Sequence, residues 1–151
     1  KVTGVQTCAL PISEEKPMIA LWLLACQSQT SVMKSAKELS VSPSFLDMGT
    51  AAVGETLTET IKLTHLKGDA IQVVDIHLQN LDGEAFSTDE SLTFTVEVNQ
   101  TETLELSYQP TVAGYHRAKL TISTDEEQTP VHEVELRGAA LLPLEIGRAH
   151  V

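Results

Sequence analysis

The sequence predicts an all-β fold, an immunoglobulin-like β-sandwich of about seven to nine antiparallel strands over residues 38–141. Short runs in which apolar and polar residues alternate recur along this stretch. Residues typical of turns, namely glycine, proline, asparagine and aspartate, separate these runs. Alternation with a period of two is typical of a strand that buries one face and exposes the other, so no helix of substance is needed to explain the pattern.

The first predicted strands lie on either side of Pro43. Leu39 and Val41 share one face of a short strand, and Pro43 ends it because proline cannot donate a hydrogen bond to a central ladder. The run 45–48 resumes the strand. Two glycines flank the turn that we predict next: Gly49 and Gly54.

The central region alternates clearly. Residues 60–64 form the next predicted strand, and Gly68 and Asp69 mark a turn after it. The strand 71–78 follows, with apolar residues on both of its sides. We expect Val74, Ile76 and Leu78 on one side, with Ile71 and Val73 on the other.

The last part of the domain completes the predicted sandwich. A turn at 80–83 precedes Phe86, which we expect to fill the core. The remaining strands are predicted at 92–98, 103–108, 118–122 and 131–136. The last two of these form a pair across the acidic loop 125–130.

Short motifs recur in a fixed order along the same region. They are Val41–Pro43, Leu46–Gly49, Val53–Gly54, Ala85–Ser87, Tyr108–Pro110, Ala113–Tyr115 and Leu136–Gly138. Together the series resembles the ASH (Hydin-like) domain family, including the bacterial surface modules called choice-of-anchor D. The resemblance covers essentially all of 38–141 and implies a non-catalytic interaction domain, often found in tandem or joined to other modules.

The two ends of the chain resemble translated sequencing adapter. Residues 2–12 back-translate into a common short-read adapter, and residues 145–151 back-translate into the same adapter on the opposite strand. The alternative, a surface strand and a carboxyl-terminal tail, requires two coincidental matches in complementary orientation. We therefore exclude 1–12 and 145–151 from fold reasoning. The gene-derived part is expected to run from Ser13 to Leu144, without its native ends.

The chain is acidic, with 10 basic and 21 acidic residues and a net charge of −11. Nucleic-acid binding is dominated by cationic contacts to phosphate, so this balance argues against a nucleic-acid partner. It also argues against docking of a basic patch on an anionic membrane surface.

Cys26 follows an uninterrupted apolar run at 18–25. A membrane-spanning helix needs about 20 apolar residues, so this run is too short to span and fits the apolar region of a signal peptide. The residues that resemble a bacterial lipobox are Leu23, Leu24, Ala25 and Cys26. That resemblance implies cleavage before Cys26 and lipidation there, and Gln27 favours sorting to the outer membrane. The alternative is a buried apolar segment with a chance cysteine.

These assignments divide the gene-derived chain. Leader and signal occupy 13–26, a flexible polar tether occupies 27–37, the sandwich occupies 38–141, and 142–144 begin a tail or a lost continuation. Cysteine occurs only at positions 8 and 26, so the sandwich contains neither a disulfide nor a cysteine metal site.

The sandwich shows no motif for catalysis, so we predict no catalytic residues, no metal and no cofactor. It contains neither a G-x-S-x-G nucleophile motif nor a glycine-rich phosphate loop. The histidines lack zinc spacing and are expected to be exposed on strands: His65, His77, His116 and His132. The acids at 80–84 and 125–127 lack the alternating series of a calcium loop, so turns are favoured over a calcium-stabilised adhesion site.

The sequence therefore predicts a non-catalytic, lipid-anchored protein of the bacterial outer membrane or cell surface, or a secreted one. Its sandwich would serve in protein interaction or scaffolding, with a partner that the sequence does not identify. Aromatic residues make up only 4% of the chain, which argues against an aromatic hot-spot patch. Pairing with an edge strand is another mode of recognition, although the sequence does not identify the edge. The alternative function is a spacer module of a larger secreted enzyme or adhesin truncated after Leu144.

Overall fold

The computed structural model describes residues 35–144, which form nine β-strands in two sheets. The strands are β1 Glu38–Ser42, β2 Phe45–Ala52, β3 Leu57–Lys67, β4 Ile71–Asn80, β5 Phe86–Ser87, β6 Phe94–Val96, β7 Thr101–Tyr108, β8 Gly114–Thr124 and β9 Val131–Leu141. This confirms the predicted all-β sandwich. Within this range no helix is long and apolar enough to cross a membrane. The adapter-like ends, the leader, the lipobox and most of the tether lie outside the described residues.

The two sheets differ in size and in the direction of one pairing. Sheet A has four strands in the order β1-β3-β7-β5, and sheet B has five in the order β2-β9-β8-β4-β6. The pairing of β2 with β9 is parallel, which departs from the expected antiparallel arrangement. At Pro43 the chain leaves sheet A and continues in sheet B, so β2 lies beside the last strand and runs in the same direction.

Gly49 lies within β2, not beside the turn where the sequence placed it. Its φ is 82°, and the register of β2 shifts between Asp47 and Thr50. The Asp47 carboxylate accepts a hydrogen bond from the Gly49 N–H at 2.9 Å. Gly49 therefore permits a bulge in β2, while Gly54, with a φ of 88°, occupies the turn as predicted.

The core fills the space between the sheets with side chains from both. Its fully buried members include Ile61, Leu63, Leu104 and Leu106 from sheet A and Ile71, Val73, Leu120 and Ile122 from sheet B. Full burial of such a side chain contributes about 1.5–3 kcal/mol. Phe86 is buried in this core, as predicted.

The side assignment of β4 is wrong at its first half. Val74 is 50% exposed, whereas Ile71, Val73 and Ile76 all lie in the core. A register shift between Val73 and Asp75 adds one residue to β4 relative to β8. This β-bulge reverses the alternation and brings both halves of the apolar pattern to one face.

The strand predicted at 92–98 is shorter than expected. Only Phe94–Val96 forms β6, and Leu92 and Val98 are exposed. Because β6 pairs only with the first three residues of β4, the pairing stops where the bulge begins. In contrast, β8 and β9 extend beyond the predicted ends of their strands.

Tyr108 and Gly138 pack against each other, although 30 residues separate them in the sequence. The Tyr108 ring is fully buried, and a Cβ on Gly138 would lie 2.6 Å from its Cζ atom. The Phe86 ring packs against the Tyr108 ring, with ring centroids 4.8 Å apart. Position 138 therefore requires glycine, because any other residue would place a Cβ against the tyrosine ring.

Candidate interaction face

The outward-facing residues of sheet B form the strongest candidate site in the described part of the chain. Along β9, even-numbered residues from Val134 to Ala140 are buried, so Arg137 points outward. Tyr115 and Arg117 point outward from β8 for the same reason. We call the set Phe45, Leu81, Tyr115, Arg117 and Arg137 the aromatic–arginine face.

The two arginines stand directly opposite each other on β8 and β9. Arg117 donates from Nε to Oδ2 of Asp82 at 2.7 Å and from Nη2 to Oδ1 at 3.3 Å. The hydrogen bond from Arg117 holds the pKa of Asp82 below its usual value. Arg137 lies 3.6 Å from the Asp47 carboxylate. Each arginine thus has an acidic neighbour that offsets the repulsion between like charges.

Aromatic and apolar surface surrounds the arginines. Tyr115 is 78% exposed and Phe45 is 47% exposed, and the Arg137 guanidinium lies 6.0 Å from the centre of the Phe45 ring. A groove of about 340 Å³ runs between Phe45, Leu81 and the two arginines. Tyrosine and arginine are enriched among the residues that dominate binding energy at protein interfaces. The face has the composition of a protein-binding surface.

The outer face of sheet A has a different composition. Its outward side chains are mostly hydroxyls, with Thr58 paired to Ser107 and Thr64 paired to Thr101 across β3 and β7. We call the outward residues of β3 and β7 the hydroxyl face; they are Thr58, Thr60, Lys62, Thr64, Thr101, Thr103, Glu105 and Ser107. Threonine is common in strands because its branched side chain suits a pleated surface, so this face needs no ligand to explain it.

Three of the four histidines of the sandwich are not exposed, which corrects the sequence-based expectation. His65 and His116 are buried, and His132 has only 14% of its side chain exposed. The Nδ1 atom of His116 lies 2.9 Å from the Tyr108 hydroxyl, inside the core. Strand alternation directs these three side chains inward. Each of them has a hydrogen-bond partner there, as buried polar groups require. His77 is exposed, as expected.

The acidic loop after β8 links the two sheets through buried hydrogen bonds. The buried Glu126 carboxylate accepts hydrogen bonds from the Leu39 N–H at 2.8 Å and the Thr124 hydroxyl at 2.8 Å. His132 lies 2.6 Å from the same carboxylate. The loop therefore ties the start of β1 to sheet B, and this supports a structural role for its acids.

Asp125 makes a similar connection. Burial opposes its charge, but hydrogen bonds from Lys37 at 2.5 Å and from the Gln72 N–H at 2.9 Å outweigh that cost and lower its pKa. Among residues 35–144, no three His, Cys, Asp or Glu side chains are grouped to hold a metal. The second acidic segment, 80–84, contributes Asp82 to the ion pair with Arg117.

The predicted lipidation residue, Cys26, and its neighbours Leu23, Leu24 and Ala25 lie outside the described residues. The aromatic–arginine face was not predicted, because its members come from four separate segments of the chain. One signal was available. Tyr115, Arg117 and Arg137 occupy the polar positions of alternating strands, where a large aromatic residue is unusual.

The family profile described as abnormal spindle-like microcephaly-associated, ASPM-SPD-2-Hydin (ASH), matches residues 37–130. No curated protein matches the chain by sequence. The ASH/PapD-like domain 7 of human CEP192 superposes with a TM-score of 0.58 at 12% identity, covering 95% of this chain and 99% of that one.

Two bacterial proteins show the same fold in part of their length. The secreted serine protease VesC from Vibrio cholerae superposes with a TM-score of 0.52 at 18% identity, over 70% of this chain and 23% of VesC. The periplasmic chaperone SfaE superposes with a TM-score of 0.53 at 9% identity, over 71% of this chain and 59% of SfaE. At these identities the shared property is the fold. Because the family profile spans more than half of its residues, the chain belongs to the ASH (ASPM-SPD-2-Hydin) family.

Proposed function

We propose that the protein is a non-catalytic, lipid-anchored component of the bacterial cell envelope whose sandwich binds a protein partner through the aromatic–arginine face. The observation that carries the binding role is the clustering of Tyr115, Phe45 and both arginines of the described residues on one side of one sheet. The family contributes the general role of an interaction module, and the chaperone fold of SfaE is consistent with it.

The face suits binding because its shape exists before a partner arrives. Its side chains project from paired strands, and Arg117 is held in place by two hydrogen bonds to Asp82. Ordered side chains lose less conformational entropy on association. The hydroxyl face offers neither an exposed aromatic ring nor an arginine, so it is the natural control surface.

Site-specific photo-crosslinking in cells tests the binding role. A benzophenone amino acid replaces Tyr115 in one variant and Thr60, on the hydroxyl face, in another. We expect one dominant crosslinked partner from position 115, and we do not expect that partner from position 60. Adding Arg137→Glu should reduce the crosslink at least tenfold, whereas Lys62→Glu should leave it unchanged. Crosslinking of the same partner from both positions, or no crosslink from position 115, would contradict the proposal.

The anchor rests on the lipobox-like residues that end at Cys26. The polar tether that follows would hold the sandwich away from the membrane. The test uses the full chain with the native signal restored. Its Cys26→Ser variant should no longer be found in the membrane fraction and should no longer incorporate a clickable fatty acid. A Ser28→Ala variant provides the control. Unchanged membrane fractionation of Cys26→Ser would reject the anchor and leave the binding role standing.

A second function has one observation in its favour. The module accounts for 23% of the secreted protease VesC in the superposition, so the fold occurs as one part of a larger secreted protein. In that case the sandwich would be a spacer in an enzyme or adhesin. Long-read sequencing of the native locus across both adapter-like ends decides between the two functions. A stop codon just after Leu144 supports the lipoprotein, whereas an open frame supports the spacer.

A further inference from the structure

The free edge of β7 is the feature from which a second binding site can be inferred. On one side β7 pairs with β3 from Thr101 to Tyr108. On the other side it pairs with β5 only at Ser107 and Tyr108. Within residues 35–144, no strand lies beside Thr101–Leu106 on that side.

The hydrogen bonds show which main-chain groups face this edge. The Gln109 N–H donates to the Ala85 carbonyl at 2.7 Å, and the Glu105 carbonyl accepts from the Thr88 hydroxyl at 2.8 Å. Both contacts lie on the β5 side, so the odd-numbered residues of β7 direct their main-chain groups there. The N–H and carbonyl of Thr103 and the N–H of Glu105 are therefore available to an added strand.

Other edge strands of the sandwich are protected differently. Acidic side chains accept hydrogen bonds from edge N–H groups, pairing Leu39 with Glu126, Gly49 with Asp47, Ala52 with Glu55, and Leu78 with Glu90. Such capping blocks pairing with another chain. Of the described edge strands, β7 has the longest stretch without a carboxylate cap of this kind.

We propose that an extended segment of another protein, carrying lysine or arginine, adds to sheet A as a strand beside Thr101–Leu106. Main-chain hydrogen bonds would hold the strand, as in other cases of β-augmentation. The exposed Glu105, on the outer face of β7, selects the charge of the added strand, since basic side chains on the outer face of that strand would lie beside it.

The same charges argue against a second copy of this chain as the occupant. Two β7 edges brought together would place Glu102 and Glu105 of one copy near those of the other, in a chain whose net charge is already −11. Like charges on adjacent strands are destabilising. This second site lies on the opposite sheet from the aromatic–arginine face and does not rest on the proposed function.

The test uses a capped synthetic heptapeptide of alternating lysine and valine, titrated into the protein and followed by amide hydrogen exchange. The valines would pack beside Leu104 and the lysines beside Glu105. We expect slower exchange of the Thr103 and Glu105 amides on binding, by at least tenfold at saturation. Protection elsewhere with no change at these amides would overturn the proposal.

Matched variants separate main-chain recognition from other effects. Thr103→Pro removes the edge N–H and should abolish binding, whereas Thr103→Ala keeps it and should bind normally. Glu105→Lys should weaken binding roughly tenfold, and Glu127→Lys, the same change in the loop after β8, should not. If the Thr103→Pro variant does not fold, the peptide affinities of the Glu105→Lys and Glu127→Lys variants still test the proposal. Equal binding by those two variants, no binding by the native protein, or protection that rises with protein concentration alone would each sink the idea.

Discussion

The two faces of sheet B show opposite kinds of constraint on residues that alternate along the same strands. On β9, Val134, Leu136 and Gly138 face the core and are buried, whereas Glu135 and Arg137 face outward and are exposed. The inner residues must match the shape of their neighbours, as Gly138 matches the Tyr108 ring. The outer residues meet no such requirement. The comparison indicates that stability depends on the inner face and that the outer face is free to serve binding.

Gly138→Ala should have the largest effect on stability. Its new Cβ would lie 2.6–2.9 Å from three atoms of the fully buried Tyr108 ring, so the ring or the strand would have to shift within a packed core. We expect a loss of about 2–4 kcal/mol in the free energy of unfolding, measured by urea denaturation. The matched control is Ala139→Ser, which adds one atom on the outer face and should change stability by less than about 0.5 kcal/mol. Similar losses for the two variants would mean that the inner and outer faces of β9 are equally constrained.

Tyr108→Phe should have a smaller effect. It removes the hydroxyl that lies 2.9 Å from Nδ1 of the buried His116, so the histidine loses a partner in the core. Burial raises the pKa of Tyr108, so the hydroxyl stays protonated at neutral pH. We expect a loss of about 1–3 kcal/mol by urea denaturation. Tyr115→Phe makes the same chemical change on the outer face and should leave the midpoint unchanged.

Asp82→Asn should have the smallest effect, because its ion pair with Arg117 is exposed to solvent and screened. The folded-state pKa of Asp82 is lowered by the hydrogen bond from Arg117. The stabilisation is therefore present above the unfolded pKa of about 3.9 and is lost as the pH falls through the folded value. We expect the melting temperatures of Asp82→Asn and native protein to differ slightly at about pH 7 and to converge at low pH. A difference that grows on acidification would contradict this sign.

Much of the fold followed from local chemistry. Gly54, Gly68 and Gly83 all adopt positive φ values at turns, where a side chain would be strained, so the sequence could place these turns correctly. The alternation in β3 and β7 identified their buried apolar residues Ile61, Leu63, Leu104 and Leu106. The β4 assignment failed because a bulge shifts the alternation by one residue without any local signal at Val74. The parallel pairing of β2 with β9 also depends on the whole topology.

The candidate site was less predictable for a related reason. Phe45 and Arg137 are separated by most of the domain in sequence, and only the β2–β9 pairing brings them together. The aromatic content of the chain does not say where the fold places its few aromatic residues, and the fold places Phe45 and Tyr115 on the outer side of sheet B. The prediction that the histidines are exposed failed because strand alternation was not applied to them. His116 shares its strand face with Ala118 and Leu120, so the alternation that buries those residues buries it too.

The parallel pairing of β2 and β9 also determines how the domain responds to pulling. Tension applied at the amino end of β2 and the carboxyl end of β9 acts along both strands in opposite directions. The ladder between residues 45–52 and 135–141 then carries the load in shear, with its hydrogen bonds strained together. An antiparallel hairpin such as β8 and β9, pulled from its open end, would separate one bond at a time. We therefore expect greater mechanical resistance across β2 and β9 than across the β8–β9 hairpin, a property suited to a domain held under tension between two attachments.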